Sequence, residues 1–592
     1  MNSMFVVVFG VLGAEAEAQD AGTQAAPTAE EDAAPAEAEK SNGISTTFTN
    51  DFEFRYQEWD IGRLIQRGGP APRFIEQVNR FTARANLKRW SFNVQVDEVL
   101  FIGTPYLLDG QRTTAPPPLI TDCASPPCVR TPYPDNFYAN PEKVALAYTG
   151  DDVEVTLGDF YTVFGYGAAL NLNRNVDIDI DTSIQGASVI ATPGDWEITG
   201  VAGMLNRQQV FADFINVGRL QGDLRHLVAG ARAVRHGLGP ATVGAHAVAY
   251  DFANQIGFEG AREQAGTSLD AVIGGATLDL YGFANADWRF EADVVGFPLD
   301  ELDQNVLFPS SQPAMGHSLY GAAQFFLGST VWQVEAKRYK DFQRVNGVTG
   351  GVEFYQVLTP PTLEYERAVN PDSQAALISN DISGGRVQMD IMAGRTTPYL
   401  ALGFFRDNDL LNAAQKAPAP ETIGVVGAGV EALLDDFTVL TNVQGRYENR
   451  DGAENGRDAQ LYGDFDLKFP LVGEAHGDLI IFGQRFWGGR YAGEDLDSTH
   501  DFTEASVSLT IAPNHWMGVT GFFDYTTNPV AQMGGNLGPT NFGAVEAYFK
   551  PSTAWTVRAF YGGYAAGIRC SGGQCRLVPA FTGARLAVTG TF

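Results

Sequence analysis

Acidic side chains alternate along one short segment, and their spacing suits cation chemistry. Asp177, Asp179 and Asp181 are two residues apart, so on an extended backbone their three carboxylates share one face, and Ile178 and Ile180 share the other. Carboxylates in this arrangement suit a Ca²⁺ ion or an acidic ring that favours cations. We favour a plain water-facing acidic stripe, because the glycine and bidentate glutamate of an EF-hand loop are absent.

The four cysteines form two local pairs. Cys123 and Cys128 lie in CASPPC, and Cys570 and Cys575 lie in CSGGQC. Such pairs in Pro- or Gly-rich sequence favour two short loop disulfides formed in an oxidising compartment. A zinc site is the alternative, although no C-x2-C spacing is present.

Three histidines, His226, His236 and His246, are spaced by ten residues. The sequence RHGLGPAT predicts a turn at His236, which would place His226 and His246 on neighbouring strands of one hairpin. A metal-binding pair is one interpretation, and scattered lumen or interface histidines are the one that we favour. The G-x-S-x-G, H-E-x-x-H and phosphate-loop motifs are absent, so we expect no enzyme activity and no cofactor.

The segments that carry these residues alternate between apolar and polar positions from about Phe48 to Phe592. After Asp436, for example, the odd-numbered residues up to Tyr447 suit lipid, whereas most even-numbered ones suit water. About 23 segments have this strand-like pattern. No stretch approaches the ~20 consecutive apolar residues of a membrane-spanning helix.

The connections between these segments are short and long in alternation. Tight turns are predicted at 149–152, 327–330, 434–436, 512–514 and 550–553, whereas 102–141, 342–384, 407–422 and 526–540 are long and polar. Short periplasmic turns and long outer loops are typical of outer-membrane barrels. We therefore predict an all-β fold, a transmembrane antiparallel β-barrel of about 20 to 24 strands over residues 43–592.

The first 42 residues have a different composition. Residues 1–18 combine an apolar run with an A-x-A pattern and are expected to be a signal peptide, although no Lys or Arg precedes Lys40. Residues 19–42 are rich in Ala, Glu and Pro and predict a disordered acidic tail. The whole chain of 592 residues carries a net charge of −30, which argues against a nucleic-acid partner.

The chain ends in an alternating strand whose last residue is Phe592. This ending resembles the C-terminal targeting strand of bacterial outer-membrane proteins, which the barrel assembly machinery recognises. We therefore expect the outer membrane of a Gram-negative bacterium, with membrane lipid and that machinery as partners.

A second resemblance lies around DVEVTLGDFYTVFGYGAALNLNRNVDIDIDTSIQGASV at 152–189. It is similar to a family of bacterial outer-membrane β-barrel proteins, without assigned chemistry, that carries a Gly-Asp-Phe-Tyr motif. The matching residues are Gly158, Asp159, Phe160, Tyr161, Phe164, Gly165, Gly167, Leu170, Arg174, Asp177, Asp181 and Gly186. The resemblance implies fold and location only.

The residues that follow this motif, 168–190, fit an ordinary strand poorly. We favour a strand-end bulge with a loop anchor. The alternative is a segment that folds inward as a constriction or plug.

A barrel of this size encloses a lumen wide enough for water or a plug. We expect a porin-like channel for small solutes or cations. Basic residues on polar strand faces would shape its constriction: Arg84, Lys88, Arg338, Arg446, Arg485 and Arg558. The alternative function is a structural or scaffold barrel of a motility, secretion or adhesion assembly that binds another envelope protein through its loops and N-terminal tail.

Overall fold

The alternating segments form a single barrel wall. The computed structural model describes residues 44–58, 73–102, 137–175, 180–207, 227–252, 269–296, 315–340, 342, 381–408, 421–434, 437–450, 457–489, 500–527, 541–564, 567–571, 574–578 and 581–592. The proposed signal peptide and acidic tail lie outside these residues. No helix among the described residues is long and apolar enough to cross a membrane.

Twenty-four strands make the wall. Their bounds are β1 Ser45–Glu58, β2 Arg73–Leu87, β3 Trp90–Ile102, β4 Phe137–Thr149, β5 Val153–Phe160, β9 Ile180–Ala191, β10 Trp196–Arg207, β11 Leu227–Leu238, β12 Ala241–Phe252, β13 Leu269–Phe283, β14 Ala286–Gly296, β15 Met315–Leu327, β16 Thr330–Lys340, β17 Asp381–Ile391, β18 Thr396–Asp407, β19 Glu421–Leu434, β20 Phe437–Arg450, β21 Arg457–Pro470, β22 His476–Gly489, β23 His500–Asn514, β24 Met517–Thr526, β25 Asn541–Ser552, β26 Trp555–Tyr564 and β29 Phe581–Thr591.

Five short strands lie outside the wall ladder or only touch it. They are β6 Thr162–Phe164, β7 Leu170–Leu172, β8 Arg174–Asn175, β27 Gly567–Ser571 and β28 Gln574–Val578. β27 and β28 form a hairpin between β26 and β29. β6 pairs with β7, and β8 pairs with the start of β9.

The barrel closes between its first and last wall strands. β1 pairs antiparallel with β29 as well as with β2. Phe592 completes this seam, because its backbone N–H donates to the Phe48 carbonyl at 2.8 Å and its carbonyl accepts from the Phe48 N–H at 2.7 Å. Closure leaves no unpaired edge strand, which is the condition for a sheet to exist in lipid.

The two ends of the barrel differ. The start of β1, the end of β29 and the tight turns lie at one end, here called the short-turn end. The strands β3 and β16, after which the chain is next described at residues 137 and 381, end at the opposite, long-connection end. The predicted turns at 149–152, 327–330 and 550–553 overlap the connections between consecutive strands at the short-turn end, whereas 512–514 belongs to the end of β23 and the turn follows it at 515–516. Residues 435–436 of the fifth predicted turn lie outside the described residues. Outer-membrane barrels place short turns in the periplasm and long loops outside the cell.

Each wall strand presents one apolar and one mixed face. On β14, for example, Val294 is 48% exposed and points to the outside, whereas its neighbours Asp293 and Val295 are buried on the lumen side. Val272, Leu319 and Leu402 continue the apolar outer surface, each about half exposed. The alternation in the sequence therefore separates a lipid face from a lumen face, as predicted.

One wall strand, β9, was missing from the sequence prediction. Its first residues show no alternation between buried and exposed positions, because Asp181, Thr182, Ser183 and Ile184 are all buried. The cause lies in the neighbouring strand: β5 has only 8 residues and pairs with β9 only as far as Ile184. Beyond that point the chain leaves the wall and side chains cover both faces of β9.

Candidate functional site: a segment folded into the lumen

Residues 161–175, between β5 and β9, fold into the barrel, so the bulge that we favoured from the sequence is wrong. The inward alternative is confirmed for residues 168–175, whereas residues 180–190 of the same prediction belong to the wall strand β9. We call residues 161–175 the inward segment. Its β6–β7 hairpin packs inside the lumen, where Phe164, Leu170 and Leu172 are at most 1% exposed. The segment thus occupies part of the lumen from the long-connection end.

Apolar lumen-facing residues of the wall form the surface on which the inward segment packs. They lie near the long-connection ends of β9 to β14, and they are Ile184, Val201, Leu205, Val228, Val248, Tyr250, Ala271, Ile273 and Val295. Phe164 lies close over Gly230 and Val248, since a Cβ on Gly230 would be 2.8 Å from its ring. The Tyr250 hydroxyl donates to the Ala169 carbonyl at 2.6 Å.

Glycines let the segment turn and approach the wall. Gly165 and Gly167 have φ angles of 63° and 96°, in the left-handed region that favours glycine. A Cβ on Gly165 would also overlap the Glu291 carboxylate. Both glycines belong to the motif found in the sequence, so their presence there has a structural cause.

Asp159 of the same motif anchors the point where β5 leaves the wall. Its carboxylate accepts hydrogen bonds from the Val144 backbone N–H at 2.8 Å, the Asn206 amide at 2.7 Å and the Ser183 hydroxyl at 3.0 Å. These three partners lie on β4, β10 and β9. The carboxylate therefore replaces the ladder hydrogen bonds that the wall loses when β5 ends.

A buried polar cluster lies beside this anchor. The Lys143 ammonium donates to the Tyr161 hydroxyl at 2.7 Å and forms an ion pair with Asp181, to which Tyr161 donates at 2.5 Å. A bulge in β4 contributes to this arrangement, because Glu142 has no partner in the β3 register and both Glu142 and Lys143 are buried. Burial raises the pKa of the Tyr161 phenol well above its usual value, so it remains a donor.

Tyr166, at the tip of the inward segment, makes the deepest contacts. Its backbone N–H donates to Glu291 Oε2 at 3.0 Å, and its hydroxyl donates to Asp279. Its ring meets that of Tyr320 edge-on, with centroids 6.2 Å apart. Burial, reinforced by Asp279, raises the pKa of the Tyr166 phenol.

A second cluster lies next to Gly165. It is made of His246, Glu291 and Asp293, and we call it the acid–histidine cluster. His246 Nε2 and Asp293 Oδ1 are 2.7 Å apart although their strands are not neighbours. Gly275 of the intervening strand β13 is in register with both residues and has no side chain to separate them. The sequence analysis missed this site, because Glu291 and Asp293 come together with His246 only through the strand register.

The histidine prediction fits only in part. His246 faces the lumen on β12, whereas His236 is exposed on β11 and is part of the strand rather than of the turn. His226 lies outside the described residues. Among the described residues, the hydrogen-bond partner of His246 is the Asp293 carboxylate of β14.

The acidic stripe and the cysteine pairs stay predictions. Asp181 lies on β9 against Lys143, and Asp177 and Asp179 lie outside the described residues. Cys123 and Cys128 also lie outside them. The backbone register of β27 and β28 places Cys570 opposite Cys575.

The predicted basic residues do not gather at one constriction. Arg338 and Arg485 pair with Asp381 and Asp501 at 2.6 and 3.1 Å near the long-connection end. Lys88 lies in the β2–β3 turn with a φ of 55°, so its assignment to the lumen is wrong. Arg84 is exposed on β2, Arg558 is half-buried on β26, and the side chain of Arg446 lies outside the described part.

The closed wall, the apolar outer face and the two unlike ends define a β-barrel of the outer-membrane class, found in Gram-negative bacteria. No protein-family model matches the sequence, and no curated protein matches it either. Solved structures with similar folds include the siderophore receptor PirA of Pseudomonas aeruginosa, at 8% identity and a TM-score of 0.42 over 93% of this chain and 81% of that one.

Two further structures are similar at the same level. The copper transporter OprC has 10% identity and a TM-score of 0.43 over 94% of this chain and 81% of its own. The P pilus usher PapC translocation pore has 9% identity and a TM-score of 0.36 over 92% and 99%.

Proposed function

We propose that this protein is a non-enzymatic outer-membrane channel that passes small solutes, with a preference for cations, past the inward segment. The observation that carries the proposal is the lumen itself. A closed barrel of 24 strands surrounds an interior lined by polar and charged side chains, and the described segment that enters it packs against one side of the wall.

The charge of the buried groups supports the cation preference. Among the described residues, eleven buried side chains are acidic, whereas only three are Lys or Arg. The acids are Glu76, Asp97, Glu142, Asp159, Asp181, Glu291, Asp293, Asp478, Glu504, Asp524 and Glu546. Three of them, Asp97, Asp181 and Glu546, pair with Arg80, Lys143 and Arg585. Acidic side chains that line a pore favour cations, because their negative charge attracts cations and repels anions.

Planar-bilayer recording of the refolded chain tests the proposal. A salt gradient across the bilayer gives the reversal potential, whose sign reports the ion preference. Stable single-channel steps with a cation-selective reversal potential are expected. A barrel that is folded, as judged by its heat-modifiable mobility in gels, but conducts no ions would reject the channel and favour the scaffold function.

A further inference from the structure

Three side chains with metal-binding atoms converge on the lumen wall. His246, Glu291 and Asp293 each place one donor atom within 4.8 Å of the others. The residues are 7%, 2% and 2% exposed. Imidazole nitrogen combined with carboxylate oxygen is a donor set that divalent transition metals bind well.

Each carboxylate of the cluster has one oxygen engaged and one oxygen without a partner. Glu291 Oε2 accepts from the Tyr166 N–H, and Asp293 Oδ1 contacts His246. Glu291 Oε1 and Asp293 Oδ2 are buried and have no hydrogen-bond partner. Buried carboxylate oxygens are usually satisfied, and these two, beside an imidazole, are each available to bind a cation.

The backbone approaches the cluster closely from two sides, at two positions that have no side chain. A Cβ on Gly275 would lie 2.6 Å from His246 Nε2 and overlap Asp293 Oδ1, and a Cβ on Gly165 would overlap Glu291 Oε1 and lie 3.2 Å from His246 Cε1. The unpartnered Glu291 oxygen and the imidazole therefore face the same space between the inward segment and the wall. Any side chain at either glycine would fill that space.

We propose that His246, Glu291 and Asp293 bind one divalent transition-metal ion of the Zn²⁺ type. Ligands of a tetrahedral zinc ion lie about 3.3 Å apart, so binding opens the His246–Asp293 contact by roughly half an ångström. Mg²⁺ and Ca²⁺ prefer sites made of oxygen alone, so the imidazole favours Zn²⁺ over both of them. Because Glu291 also holds the Tyr166 N–H, the bound ion fixes the tip of the inward segment against the wall.

Zn²⁺ binding to the refolded full chain in detergent tests the site directly. Equilibrium dialysis against Zn²⁺ in a large excess of Mg²⁺, followed by elemental analysis, gives the number of ions per chain. His246→Gln and Asp293→Asn should each bind one ion fewer than the wild type. His236→Gln is the matched control, because it removes an exposed histidine of the neighbouring strand and should bind as the wild type does.

A second measurement needs no variant. X-ray absorption at the zinc edge of the loaded wild type should show one imidazole among the ligands of the tightly bound ion. Equal zinc content in wild type and His246→Gln, or a first shell without imidazole, would overturn the proposal. The site is independent of the channel function, since zinc content can be measured on a folded barrel that does not conduct.

Discussion

Asp159 is the residue whose carboxylate compensates for the early end of β5. It accepts three hydrogen bonds from three strands, so Asp159→Asn, which has only one acceptor oxygen, should destabilise the barrel by about 1–3 kcal/mol. The temperature at which the refolded barrel loses its heat-modifiable gel mobility measures the effect. Asp151→Asn is the control, because the Asp151 side chain is 83% exposed and its ion pair is with Arg89, which is itself exposed. Equal melting temperatures for the two variants would contradict the anchoring role.

Gly275 allows two non-neighbouring strands to bring His246 and Asp293 together. Gly275→Ala places a Cβ against both side chains and should cost about 1–3 kcal/mol, because the cluster is buried and cannot relax freely. The adjacent Gly274→Ala should be tolerated, since a Cβ there meets no atom within 4 Å. Thermal unfolding of both refolded variants distinguishes the positions. Similar losses of stability in the two variants would show that the His246–Asp293 contact does not depend on Gly275.

At the scale of elements, the inward segment depends on Phe164 for its packing against the wall. Phe164 is fully buried, so Phe164→Ala should weaken the docking of the segment by about 3–5 kcal/mol while leaving the wall ladder intact. The released segment should make single-channel currents fluctuate more between levels. Phe523→Ala is the control, because Phe523 is 51% exposed on the outer face of β24. Single-channel currents that fluctuate no more in the Phe164 variant than in the wild type would mean that the segment does not move into the conducting path.

The sequence allowed most elements, but not the site, to be predicted. All 23 predicted segments correspond to wall strands, because a strand between lipid and water must alternate. β9 was missed because the contacts of Asp181 and Ser183 with Lys143 and Asp159 remove its alternation. The strand register that brings His246 next to Asp293 cannot be read from the sequence, because the two residues are 47 positions apart.

One signal in the sequence did indicate the inward segment. The ends of β12, β13 and β14 are apolar on the lumen face as well, as at Val248, Ile273 and Val295. Apolar residues on both faces of a wall strand need a packing partner inside the barrel, because a water-filled lumen would leave one face exposed. A search of the sequence for strands with apolar residues on both faces would have favoured the inward fold of residues 161–175 over the bulge.

At the scale of the whole molecule, Phe592 extends the seam that closes the barrel. Phe592 makes two backbone hydrogen bonds with Phe48, and its ring lies 5.7 Å from that of Trp555. Deletion of Phe592 should reduce the amount assembled in the outer membrane of cells severalfold, through loss of recognition by the assembly machinery. Refolding of the same variant from urea into detergent should change less, since nine further register pairs join β1 and β29. Equal assembly of both chains in cells would contradict a targeting role.

The proposed channel requires a lumen that conducts ions and an inward segment that narrows it. Deletion of residues 162–179 tests this most directly, because Tyr161 and residues 180–183 then remain as a five-residue turn between the paired residues Phe160 and Ile184. We expect a folded, heat-modifiable barrel whose single-channel conductance is severalfold larger than that of the wild type. An unchanged conductance in a folded deletion variant would contradict it.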